Sequence, residues 1–323
     1  TNMSQTKEAK YYYSEVFNSI QGEGMYTGIH TLWLRFFLCN LQCDGFGQLD
    51  PTNPDTYELP YADFDAKSVN RVEDLPVWDK GCDSSYTWSK KFKHLMGHKT
   101  AHEIVKVIME AAKTDSNPTG KFYHPVSKQT AHMCFTGGEP MMGHAQRAFR
   151  EIYYWFRHYE NEPSCITFET NGTQALLPDH RDWLINKGTF NTPIFFSVSP
   201  KLFTVSGEKA DKAIKPEVIA EYHKVGSIIN GTSKRTAGQL KFVLGSKQES
   251  WEEMEEVIRK IKEAVSPDPN DSRWEWPIYI MPVGATEEEQ TATAGEVAEK
   301  AFKLGYNVSA RVHVYLFGNQ IGT

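Results

Sequence analysis

The hydrophobic pattern of the chain alternates between two periods. Apolar runs of strand length recur at 31–38, 132–136, 166–170, 194–198, 240–244, 278–281 and 308–317. Segments of helical period lie between them. A capping box, Thr100-Ala101-His102-Glu103, precedes the apolar positions Ile104, Val105, Val107 and Ile108. Residues 144–159 form a long aromatic segment, and 251–265 place Met254, Val257 and Ile261 on one stripe. Residues 287–304 are amphipathic and are closed by Gly305. Strands alternating with helices predict an α/β fold with parallel pairing and right-handed crossovers. Six or seven such units predict an open sheet or partial (β/α) barrel, where chemistry collects at the carboxyl ends of the strands. Residues 1–13 are predicted to be a flexible tail, and 14–323 a single domain.

Residues 44–81 break the rhythm. They are rich in Pro, Asp and aromatics, including Pro51, Pro54, Tyr57, Tyr61, Phe64, Pro76 and Trp78. A loop this long in a compact domain is either functional and self-packed or a surface decoration, and both readings stay open.

Composition narrows the class. The chain has 323 residues and a formal net charge of -6, with no basic face for nucleic acid. No apolar run is long enough to span a membrane. Five cysteines without disulfide-framework spacing fit a reducing cytosol, so a cytoplasmic location is expected. Cys134 and Cys165 sit inside apolar runs and read as packing. Cys39 and Cys43 are separated by Asn40 and Gln42, which suit a loop. A third, Cys82, follows the insertion.

Polar turns follow four of the strands: Cys39-x3-Cys43, Thr136-Gly137-Gly138-Glu139-Pro140, Glu169-Thr170-Asn171-Gly172-Thr173 and Ser199-Pro200-Lys201. On one end of a parallel sheet, these turns converge. Gly137 and Gly138 allow close backbone approach to a ligand, and Glu139 can accept from an ammonium group. Alone, Gly-Gly-Glu-Pro also fits an ordinary strand-to-helix turn.

The combination resembles the radical S-adenosylmethionine superfamily, and within it the 7-carboxy-7-deazaguanine synthases. The likeness rests on the split cysteine triplet and on Gly137 to Pro140. It extends to Ser19-Ile20-Gln21-Gly22-Glu23-Gly24, Leu34-Arg35-Phe36, Cys82-Asp83-Ser84-Ser85-Tyr86-Thr87-Trp88, Ser199-Pro200-Lys201 and Arg311-Val312-His313, nearly the whole chain. It implies a partial barrel of the radical S-adenosylmethionine type, with the insertion in the cluster loop. Cys39, Cys43 and Cys82 would hold a [4Fe–4S] cluster. Gly137, Gly138, Glu139, Ser199, Pro200, Lys201, Met281, Pro282, Val283 and Gly284 would hold S-adenosylmethionine. Ser84 would ligate Mg2+. Ile20, Gln21, Gly22, Glu23, Arg35, Thr136, Glu169 and His313 would form the substrate pocket. The last carboxylate, here on Thr323, would lie near the substrate. Arg35 would fork onto a substrate carboxylate, the alternative being an ion pair at a strand end.

The implied reaction contracts 6-carboxy-5,6,7,8-tetrahydropterin to 7-carboxy-7-deazaguanine with loss of ammonia, in queuosine-type biosynthesis. The implied partners are the pterin, an electron donor such as a flavodoxin or ferredoxin, and a second copy in a homodimer. Two departures stand out. The family's third cysteine position is Phe46 here, so Cys82 must substitute. The chain also runs long around 153–163 and 207–238. A glycyl-radical activase with the same cluster, or a non-catalytic relative with zinc or no metal on the cysteines, are the other classes.

Overall fold

Two-residue alternation in the parallel strands builds the molecule. The computed structural model describes residues 7–231, 233, 235–268, 270, 273–284, 286–318 and 320–323. Its strands are β1 (Lys10–Ile20), β2 (His30–Phe36), β3 (Gly97–Thr100), β4 (His132–Gly137), β5 (Ile166–Thr170), β6 (Ile194–Val198), β7 (Gly238–Leu244), β8 (Ile278–Pro282) and β9 (Asn307–Val308). They form one open sheet in the order β3-β1-β2-β4-β5-β6-β7-β8-β9. β1 pairs antiparallel with β2 and β3, and from β2 to β9 all pairing is parallel. The sheet is not closed, which is consistent with a partial barrel.

The helices are α1 (Pro60–Asp63), α2 (Ala101–Ala112), α3 (Gly143–His158), α4 (Pro178–Ile185), α5 (Phe203–Ser206), α6 (Ala210–Ala213), α7 (Pro216–Asn230), α8 (Gln248–Val265), α9 (Glu287–Lys303) and α10 (Val312–Phe317). The predicted cap is present: the Thr100 side chain accepts from Glu103 N at the start of α2. Neighbouring helices pack in sequence, α2 on α3, α3 on α4, α4 on α7 and α7 on α8.

One face of the strands is apolar and meets these helices. Phe36, Phe135, Phe168 and Phe196 form a ladder across β2, β4, β5 and β6, with ring centroids 6.1, 5.6 and 5.8 Å apart. Phe149 of α3 packs edge-on against Phe135 and Phe168. Each such fully buried ring contributes about 1.5–3 kcal/mol. The residues one step along, Arg35, Thr136, Glu169, Ser197 and Lys241, line a cavity on the opposite face. Its floor is apolar: Phe17 stacks on Trp33 at 5.5 Å, with buried Cys134 beside them. Cys165 is also fully buried.

The structure departs from expectation in two places. The predicted tail enters the sheet at Lys10, because Tyr11 and Tyr13 bury their rings in the core; residues 1–6 lie outside the described residues. The run at 308–317 is not one strand. β9 ends at Val308, the side chain of Arg311 is tied to Glu23, Asp83 and Gly284 O, and the chain turns into α10. The segment 207–238 carries α6 and α7, the latter the crossover between β6 and β7 that Pro216 opens. The segment 153–163 is the last turns of α3 and the bend into β5. Both therefore belong to the α/β repeat.

The 44–81 insertion packs on itself. Tyr61, Val72, Leu75 and Trp78 share an apolar cluster with Tyr86 and Phe92, and Phe64 meets Trp78 at 5.3 Å. Its last part, 76–81, forms a wall of the cavity.

Candidate functional site

The cysteine loop is strapped to the two other motifs through a single residue, Leu38. Leu38 N donates to Thr87 O (2.7 Å), and Leu38 O accepts from Glu139 N (2.9 Å). Leu38 carries a positive φ of 92°, which a non-glycine residue adopts at a cost on the order of 1–3 kcal/mol. Gly138 must be glycine here: a Cβ would lie 2.1 Å from Leu38 O and 3.0 Å from the Cys39 Cβ. So the segment after Cys82 and the Gly137-Gly138 turn are both pressed against the loop that carries Cys39.

Cys39, Cys43 and Cys82 pack in one cluster with Leu41, Phe46 and Ala213 and line one cavity of about 630 Å3. Burial pushes the Cys39 thiol up to about 12, with the Glu139 charge adding to it. Burial raises Cys43 well above the ordinary thiol range and Cys82 to about 11. Lys201 acts in the opposite direction on all three. Burial therefore favours the protonated thiols, and a metal would have to displace their protons.

Among the described residues, no three His, Cys, Asp or Glu side chains group as ligands of a single ion. A four-iron cluster puts each thiolate on its own iron, so its sulfurs stand wider apart than single-ion ligands. A second observation fits a sulfur-rich group. Trp88 Nε1 is buried with no hydrogen-bond partner, and it is aimed at Cys82, whose thiolate it favours. The Cys82 sulfur, once a metal-bound thiolate, is the acceptor that this N–H otherwise lacks.

The cavity's other end is a network of paired charges. Arg35 Nε donates to Glu15 Oε1 (2.8 Å), its direct cross-strand partner, beside a register shift in β1. Tyr86 OH donates to the same oxygen (3.0 Å). Arg35 Nη1 faces Ser84 Oγ (3.5 Å) and Gly137 O (3.4 Å). Lys241 Nζ donates to Glu23 Oε2 (2.5 Å) and lies 3.7 Å from Glu169 Oε1. Arg311 reaches Glu23 Oε1 (3.0 Å), Gly284 O (3.1 Å) and Asp83 Oδ2 (3.2 Å). Gln21 Nε2 and Thr136 Oγ1 donate to Glu169 at 3.2 and 3.4 Å.

Burial alone would raise the Glu23 carboxyl, but Lys241 and Arg311 outweigh it and hold it well below the carboxylate range. Burial opposes the Lys241 charge, yet Glu23 and Glu169 raise its pKa. Burial lowers the His313 pKa below 6.5, so its ring is neutral at neutral pH.

Most of the residues singled out from sequence line this cavity, including Ile20, Met281, Pro282, Val283, Ser199, Thr323 and all three cysteines. Three do not. The Glu139 carboxylate is fully buried and accepts from Asn171 N (2.9 Å), Met141 N (3.0 Å) and Thr170 Oγ1 (2.7 Å). It therefore organises two turns instead of reaching into the cavity, and burial lifts its pKa to about 7. Gly22 leaves room for His313, whose Nδ1 would sit 1.8 Å from an added Cβ. Pro200 is buried away from the lining. Arg35 makes the ion pair that was its alternative reading, which leaves only its Nη side toward the cavity. Ser84 Oγ donates to Asp83 Oδ1 (3.2 Å) and makes no helix cap, so two hard oxygens stand together.

Sequence reasoning gave no role to Glu15, Asp83, Glu208, Lys241 or Arg311, although Asp83 and Arg311 stand inside motifs it used. The signal for Lys241 was available: a lysine inside the apolar run 240–244 must find a buried partner.

No family model matches the chain. Three curated proteins are similar to it, each named 7-carboxy-7-deazaguanine synthase. The one from Rhodopirellula baltica is 22% identical over 321 residues, covering 99% of this chain and 91% of its own. The one from Halobacterium salinarum is 24% identical over 311 residues, covering 95% and 90%. The one from Buchnera aphidicola subsp. Schizaphis graminum is 25% identical over 198 residues, covering 57% and 67%. The crystal structure of QueE from Escherichia coli aligns with a TM-score of 0.47 at 16% identity over 93% of each chain.

Proposed function

We propose that the chain is a radical S-adenosylmethionine enzyme of the 7-carboxy-7-deazaguanine synthase type, acting on 6-carboxy-5,6,7,8-tetrahydropterin. The observation that carries the reading is the meeting of Cys39, Cys43 and Cys82 with the Gly137-Gly138 turn on one cavity. The shared name of the three similar curated proteins supports it.

In this reading the three thiols bind three irons of a [4Fe–4S] cluster as thiolates, which leaves one iron without a protein ligand. When bound, the cluster and S-adenosylmethionine supply the one-electron chemistry that removes a hydrogen atom from the substrate. The rest falls to the chain's own side chains. The exposed backbone of Gly137 and Gly138, with Ser199, Lys201 and the turn 281–284, binds S-adenosylmethionine. Lys201 supplies positive charge beside the thiolates.

The polar face of β2, β4, β5 and β7 binds the heterocycle. Glu23 and Glu169 accept from its N–H groups, with the Lys241 ammonium between them. The Nη side of Arg35 and the oxygens of Ser84 and Asp83, the latter with Mg2+, take the substrate carboxylate. Fixing that carboxylate fixes which C–H faces the radical source. The neutral His313 ring can take up a proton at the far end. The electron comes from a small carrier of flavodoxin or ferredoxin type, and the enzyme works as a homodimer.

The test is one anaerobic assay with reconstituted protein, a reductant, S-adenosylmethionine, Mg2+ and the carboxypterin, read by mass. The expected product is 7-carboxy-7-deazaguanine. A cluster-loaded protein that leaves the pterin intact refutes the reading.

A further inference from the structure

The cysteine loop is held from outside the cavity by one carboxylate. Gln42 N and Cys43 N both donate to the same oxygen, Glu208 Oε1, each at 2.8 Å. Cys43 needs such a hold, because its φ of 54° lies in the left-handed region. The adjoining turn is equally close to the segment that carries Glu208. Gly45 N donates to Ser206 O (2.9 Å), and a Cβ on Gly45 would sit 2.6 Å from the Ser206 carbonyl carbon.

That segment is itself braced. Glu208 N donates to Ser206 Oγ (3.2 Å), and Ser206 Oγ to Leu202 O (2.7 Å). Phe203 N and Thr204 N donate to the Glu253 carboxylate of α8 at 2.7 and 3.0 Å. The carboxylate is therefore a rigid support for the loop. Hydrogen bonds to a charged acceptor are also roughly twice as strong as neutral ones.

We propose that Glu208 is a positioning residue that shapes the Cys43 turn and places a fixed negative charge beside the metal centre, lowering its reduction potential. The inference rests on the cluster reading above. The physical argument has two parts that act in the same direction. Iron–sulfur potentials depend on net charge and on N–H groups donated to the sulfurs. Glu208 adds negative charge, and it diverts the Gln42 and Cys43 amides away from any sulfur. Both disfavour the added electron, which suits a centre that must pass that electron to a hard-to-reduce sulfonium.

The test compares reconstituted wild type, Glu208→Gln and Glu208→Ala. Iron per chain, the rate of iron loss to a chelator, and the midpoint potential in a titanium(III) citrate titration followed by electron paramagnetic resonance are measured. Gln keeps an oxygen acceptor and drops the charge, so Glu208→Gln should hold its iron and titrate at a more positive potential. Glu208→Ala should titrate more positive still and lose iron roughly tenfold faster, the equivalent of one charged hydrogen bond. A Glu208→Gln midpoint equal to wild type, or a Glu208→Ala protein that gives up iron no faster, overturns the proposal. A wild-type chain that takes up no cluster takes down both readings, whereas a loaded wild type with indifferent variants takes down this one alone.

Discussion

Replacing Lys241 by methionine tests whether the charge network is structural as well as functional. Lys241 sits in the middle of β7 with its side chain 6% exposed, 2.5 Å from Glu23 and 3.7 Å from Glu169. Methionine is close in volume, one atom shorter, and carries no charge. Breaking a buried pair by deleting one partner costs about 3–5 kcal/mol, because the remaining charge stays buried. Glu23 still has Arg311 at 3.0 Å, so the lower end applies, about 3 kcal/mol. The Glu23→Gln, Lys241→Met double variant should lose less than the sum of the singles, with a coupling of about 2 kcal/mol.

The pH dependence follows with a definite sign. Glu23 has a folded pKa below its ordinary 4.5, so its stabilisation is present above that value and is lost as pH falls toward the folded pKa. Lys241 has a folded pKa above 10.5, so its contribution is present below 10.5 and is lost as pH rises beyond it. Lys241→Met should flatten both limbs. Urea unfolding from pH 3 to 11, with the slope m held constant, measures all of this. A Lys241→Met protein within about 0.5 kcal/mol of wild type, or strictly additive singles, would refute the reasoning.

Other outcomes follow from the cysteine end. Gly138→Ala forces a Cβ against Leu38 O and should cost about 1–3 kcal/mol, with the loss concentrated in iron retention after anaerobic reconstitution. An iron content unchanged from wild type would remove the close approach of the two turns from the account. Because all three thiols are pushed up by burial, cluster assembly at pH 7 in weakly buffered solution should release about three protons per chain beyond those given up by the same iron and sulfide without protein. Titration with a pH indicator reads this difference directly, and an excess near zero would mean the thiols are not the ligands. Trp88→Phe keeps the ring but loses the N–H beside Cys82, so the cluster potential should fall by roughly 40 mV, the one-electron equivalent of a hydrogen bond of about 1 kcal/mol. An unmoved potential would detach Trp88 from the metal centre.

What the sequence discloses depends on how local the cause is. The parallel strands β4 to β8 and the helices α2, α3, α8 and α9 were legible because each carries its own period. β1 was not, because its run of tyrosines, Ser14 and Glu15 alternates without looking apolar; it is a strand because β2 and β3 pair with it on both sides. The break between β9 and α10 was hidden because its cause is remote: the Arg311 side chain is held by Glu23 and Asp83, far away in sequence. The site shows the same division. Cysteines and glycine turns announce themselves by type and spacing. Glu139 was legible as important, but not as a carboxylate turned inward to Thr170 and Asn171. Glu208 carries no motif at all, and only its bonds to Gln42 and Cys43 reveal it.

Iron and sulfide counts on anaerobically reconstituted wild type and Cys82→Ala, run side by side with their absorbance and electron paramagnetic resonance spectra, bear most directly on the metal centre. About four irons and four sulfides per chain in the wild type, collapsing once the remote thiol is gone, is the predicted result. A Cys82→Ala protein that keeps the full complement and the same spectra would contradict it.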